Sequence, residues 1–148
     1  MKIKNFIIPF LLFSLTACCA HNCTVNNNDA NDIEKTVLLF AETYGTARMD
    51  EAAAITTMNF RGGVPGSVWV AEVWPKLKIF EYKKLKTKIL SIKIDGDKAI
   101  VIVQAKISTA GGDAVQKEIF SLVRFQDKWL VDDLRVMEED VKAIGRDI

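Results

Sequence analysis

The 148-residue chain is 49% hydrophobic and 26% charged, which suits one globular domain with a core of its own. Its formal net charge of +1 lacks the basic excess of a dedicated nucleic-acid binder, so no nucleic-acid partner is expected. The single histidine and all three cysteines fall before residue 24, so the region that follows must work without either side chain.

Lys2 and Lys4 form a positive leader, and Phe6 to Leu15 is an apolar run too short to make a good membrane span. Leu15-Thr16-Ala17-Cys18 then resembles the lipobox of bacterial lipoproteins. The resemblance implies a signal peptide over residues 1–17 and lipid attachment (palmitate and related acyl chains) at Cys18. Simple secretion with cleavage near Ala20 is the alternative. Several acyl chains on one cysteine anchor stably, since each buried CH₂ contributes about 0.8 kcal/mol. Removing residues 1–17 takes away two lysines and no acid, which changes the formal charge from +1 to −1. Cys19 rather than Asp follows Cys18, and by resemblance to Gram-negative sorting patterns this favours the periplasmic side of the outer membrane.

Residues 18–30 read as a flexible tether with little to bury. Cys19, His21 and Cys23 are too cramped for a zinc site and lack a second ligand pair, so no metal is expected. A local Cys19–Cys23 disulfide or free thiols are the remaining readings. A single domain is expected over 31–148. Asn31 with Glu34 fits a capping box, and Ile33, Val37, Phe40, Ala41 and Tyr44 share one helical stripe that Gly45 can terminate. Asp50 suits the N-cap of a short helix through Thr57. Arg61-Gly62-Gly63-Val64-Pro65-Gly66 is a connecting loop without the Lys-Ser/Thr ending of a phosphate loop. A third helix follows, with Pro65 in its first turn and a kink or division expected at Pro75.

From Tyr82 to Met137 the chain reads as a ladder of about four antiparallel strands. Lys84, Lys86 and Lys88 alternate with Leu85, Thr87 and Ile89, a period of two that places the lysines on one wet face. Such lysines blunt edge-to-edge pairing or touch anionic lipid. Asp95-Gly96-Asp97, Gly111-Gly112-Asp113 and Gln126-Asp127-Lys128 mark three turns, so a meander is the default topology. Helices followed by strands argue an α+β fold.

Ile94-Asp95-Gly96-Asp97-Lys98-Ala99 and Asp127 to Leu134, preceded by three helices with Phe40 and Tyr44 closing the first, resemble the nuclear-transport-factor-two-like superfamily, and within it lumazine-binding-like lipoproteins of unknown function. The resemblance implies helices packed in the concave face of a curved sheet, a cone that is also described as cystatin-like or ketosteroid-isomerase-like.

Nucleophilic schemes based on Ser-His-Asp or Cys-His find no partner in the domain. Asp132 and Asp133 are strand neighbours and point to opposite faces, so they cannot act as a dyad. With Trp129 and Val131 inward, Asp133 and Arg135 would share the inner face as a buried ion pair. The expectation is a non-enzymatic binding or interaction module without a cofactor, its candidate cavity lined by Tyr44, Trp69, Trp74, Phe80, Asp133 and Arg135. Three kinds of partner are open: the membrane through the lipid, an apolar small molecule or envelope protein, and a second copy docked on the outer sheet face. The alternatives are a small-ligand enzyme of the ketosteroid-isomerase or SnoaL type, which would draw on Tyr44, Asp50, Asp132 and Asp133, and an accessory subunit of an envelope complex.

Overall fold

A computed structural model describes residues 27–141, with side chains through Met137. The leader, the lipobox with Cys18, and His21, Cys19 and Cys23 lie outside the described residues. Three helices, α1 (Asn27–Thr43), α2 (Met49–Ala54) and α3 (Gly66–Ile79), precede four strands, β1 (Lys83–Asp95), β2 (Lys98–Thr109), β3 (Gly112–Phe125) and β4 (Lys128–Val141). The strands pair in sequence order as an antiparallel meander. The helices cover one face of this sheet, which is the α+β architecture expected from the sequence.

Alternation decides which face is covered. Ala99, Val101, Val103, Ala105 and Ile107 of β2, and Phe120 and Leu122 of β3, are buried. Ile33, Val37, Phe40 and Ala52 from α1 and α2 pack against them, together with Trp129 and Val131 of β4. A second cluster joins Met49, Ala53 and Trp69 and extends the core along α3. Aromatic contacts run through both clusters: Phe40 meets Phe120 edge-on at 5.6 Å and stacks on Tyr44 at 5.0 Å.

Three local features differ from the sequence reading. First, α1 begins at Asn27 rather than Asn31. Asp29, in the added turn, bonds Arg124 at 2.6 Å, and the Arg124 guanidinium lies 4.8 Å from the Trp129 ring. That anchor comes from strands about a hundred residues away, so no local capping signal could reveal it. Second, α2 ends at Ala54, and Ile55 to Thr57 form a short rung on β4 instead. The Thr57 amide donates to the Val131 carbonyl, and the Val131 amide donates to Ile55, each at 2.9 Å. Third, α3 runs unbroken through Pro75. Pro75 and Ala71, whose carbonyl loses its intrahelical partner, are both exposed, so water can replace the missing bond. Among the described residues no helix is long and apolar enough to cross a membrane.

Gly45 ends the first helical stripe with φ of +80°, and a Cβ there would come within 2.6 Å of the Tyr82 ring. Both the backbone and the packing therefore demand glycine at this position.

Candidate functional site

The inner face of the sheet is apolar except near its β1 and β3 ends. Gln116 and Glu118 share the inward parity of Phe120 and Leu122 and are buried with them. Glu118 needs a partner there, because an isolated carboxylate is costly to bury. Lys84 supplies it: its Nζ donates to both carboxylate oxygens, at 2.9 and 2.7 Å, and Gln116 Nε2 donates to Oε1 at 2.7 Å. The Lys84 Nζ also lies 5.7 Å from the Phe120 ring.

Lys84 is inside because β1 is irregular. Its pairing with β2 shifts between Lys84 and Lys86 and again between Ile89 and Ser91, which leaves Leu85 and Leu90 as bulge residues. Thr87, Ile89, Ile92 and Ile94 face inward opposite Ala105, Val103, Val101 and Ala99, while Lys84 reaches the inner face opposite Ile107. The expectation of one wet lysine face is thus corrected. Lys86 and Lys88 are exposed, and Lys84 is a core residue because one extra residue reverses the alternation.

Close to this ion pair stand two tyrosines. Burial, followed by the negative charge of Glu118, pushes the phenols of Tyr44 and Tyr82 above the usual tyrosine range. Both therefore keep their protons through neutral pH.

Tyr44 also borders a cavity of about 500 Å³. Its wall is built from four parts of the chain: Tyr44 after α1, Asn59 and Phe60 after α2, Trp69 and Val73 on α3, and Asp132 to Leu134 on β4. Trp69 holds the wall together, with its ring 6.1 Å from Tyr44 and 5.8 Å from Phe60. Part of the polar rim comes from a bulge in β4. The pairing of β3 with β4 shifts between Ser121 and Leu122, which leaves Asp132 unpaired in the ladder. Asp132 accepts the Thr57 hydroxyl at 2.6 Å and the Asn59 amide at 3.3 Å.

The candidate residues read from the sequence divide accordingly. Tyr44, Trp69 and Asp133 line this cavity. Trp74 lies instead beside a separate cleft of about 270 Å³ with Gly45, Leu77 and Tyr82, where Lys78 sits 5.7 Å from its ring. Phe80 caps the end of α3, 62% exposed, and accepts the Ala110 amide through its carbonyl. Arg135 bonds Asp133 at 2.7 Å with its side chain 76% exposed, so this pair is not the buried one expected. The bulge at Asp132 is the reason: Leu134 returns to the inner face opposite Phe120, and Asp133 falls opposite Ser121. Phe60, Asn59 and Val73 were missed. The glycine-rich loop hid the first two, because its turn chemistry gives no sign that its leading residues fold back under α3.

The fold is the α+β cone described as cystatin-like and NTF-2-like. A cystatin-like protein of unknown function from Nostoc punctiforme superposes with a TM-score of 0.62 at 12% identity, covering 79% of this chain and 95% of that one. An NTF-2-like protein of unknown function from Shewanella oneidensis gives 0.55 at 14% identity, covering 73% and 98%. Bd1075 of Bdellovibrio bacteriovorus gives 0.57 at 10% identity over 74% of this chain, which spans 40% of that longer protein. No family model and no curated protein matches the sequence.

Proposed function

We propose that the domain is a non-enzymatic binding module for a small organic molecule, held at the bacterial cell envelope by a lipid on Cys18. The observation that carries the binding reading is the cavity of about 500 Å³ with its aromatic wall of Tyr44, Phe60 and Trp69 and its polar rim of Asn59 and Asp132. Apolar walls with a few placed polar groups are the usual make-up of ligand sites. The chemistry at hand supports binding over catalysis. Glu118 is engaged by Lys84 and Gln116, and Tyr44 keeps its proton.

Native mass spectrometry of the purified full chain and a thermal-shift screen with apolar metabolites test the binding. A bound species, or a shift that Trp69→Ala abolishes, supports it. The enzymatic alternative is tested by assaying small acidic ketones and steroid-like substrates: turnover lost in Asp133→Asn would overturn the non-enzymatic reading. Metabolic labelling with an alkyne fatty acid tests the anchor, with incorporation expected in the native chain and absent in Cys18→Ser.

A further inference from the structure

We infer that the cavity between α3 and β4 selects an organic cation, an ammonium group carried on a compact apolar or aromatic body. This deepens the proposed binding function and rests on it.

The charged side chains that line the cavity are both acidic. The lining holds two carboxylates, Asp132 and Asp133, and no lysine, arginine or histidine. Asp133 is already met by Arg135, whose side chain points into solvent. Asp132 is not neutralised: its partners are the Thr57 hydroxyl and the Asn59 amide, both uncharged, and no basic group pairs with it among the described residues. Those neutral donors fix the orientation of the carboxylate and leave its negative charge uncompensated.

The wall adds to the same preference. Aromatic faces carry a negative quadrupole, and ammonium groups are drawn to them, most strongly to tryptophan. Trp69 contacts both Tyr44 and Phe60, and all three line the cavity. A cation beside Asp132 meets a full opposite charge in a cavity that Tyr44, Phe60 and Trp69 also line. An anion of the same shape meets the carboxylate with nothing to offset it. The lysines of β1 offer no rescue, since Lys86 and Lys88 are exposed on the opposite face of the sheet and Lys84 is committed to Glu118.

Calorimetric titration of the full chain, purified in a non-ionic detergent at low salt, tests this with three probes that share one ring: benzyltrimethylammonium, benzyl alcohol and phenylacetate. The expected result is binding of the cation at least about tenfold tighter than the neutral alcohol, with the anion weakest. Cation affinity should fall as salt is raised, while affinity for the alcohol should not. Asp132→Asn should bring the cation to the level of the alcohol measured on the same variant, with the circular dichroism spectrum showing that the variant is folded. If Asp132→Asn fails to fold, the salt dependence and the order of the three probes on the native chain decide. Equal binding of all three, or preference for the anion, overturns the cation inference while the ligand site stands. No binding by any probe overturns the binding function itself.

Discussion

Lys84 and Glu118, 34 residues apart in sequence, meet at 2.7 Å with side chains only 2% and 1% exposed. The two strands that carry them, β1 and β3, are not neighbours, so the pair links across β2 beneath the helices. Removing one partner leaves the other charged and buried. We expect Lys84→Met or Glu118→Leu alone to cost about 3–5 kcal/mol, and the double replacement to cost clearly less than the sum. Urea denaturation of the three variants measures this, and strictly additive losses would contradict it.

The phenols of Tyr82 and Tyr44 give a pH dependence. Burial and the charge of Glu118 raise both above their unfolded values, so the folded chain holds these protons longer than the unfolded chain does. The stabilisation is complete below about pH 10, the unfolded tyrosine value, and is lost as pH rises through the folded values. Urea midpoints should fall between about pH 10 and 11, and Tyr82→Phe should make that fall shallower.

Gly45 combines a left-handed backbone with a ring at its Cβ position, whereas Gly62 has φ of +67° and open space around it. Alanine at Gly62 should cost about 1 kcal/mol for the backbone alone. Gly45→Ala should cost about 2–3 kcal/mol, because the Tyr82 ring must also move. Comparing the two melting temperatures isolates the contact.

The turn between β3 and β4 places Gln126 and Asp127 both at positive φ, 48° and 61°. Two such residues in a tight hairpin match the turn that favours Asn-Gly. Gln126→Asn with Asp127→Gly should therefore raise stability by about 0.5–1 kcal/mol, seen as a higher melting temperature without change in the circular dichroism spectrum.

Arg124 ties the first turn of α1 to the sheet through Asp29 and lies over Trp129. Arg124→Ala should cost about 1–2 kcal/mol. It should also speed amide exchange selectively over residues 27–31, and uniform exchange along α1 would refute the anchoring role.

The fold was legible because its signals are local and repeated. The stripe from Ile33 to Tyr44, the alternation from Ala99 to Ile107 and the turn at Asp95-Gly96-Asp97 each announce their element. The inner polar group was not legible, because two bulges decide it and a bulge leaves no compositional mark. Reading straight alternation through Leu85 puts Lys84 in water, and reading it through Asp132 puts Asp133 inside. Glu118 was within reach, since its parity with Phe120 and Leu122 already placed it on the buried face. The cavity was half legible. Tyr44 and Trp69 are large side chains on helical stripes, while Phe60 and Asn59 depend on how a loop folds back.

Leu85 and Leu90 are the residues of β1 without a partner opposite them on β2. The strand thus carries two units of spare length. A chain shortened by Leu85 alone can close its ladder and still set Lys84 against Ile107 and Lys86 against Lys106. A residue added to β2, in which every residue from Lys98 to Ser108 has a partner on both β1 and β3, has no such slack and must displace every facing pair beyond it. Gain and loss of single residues should therefore be tolerated at one edge of this sheet and resisted at its centre.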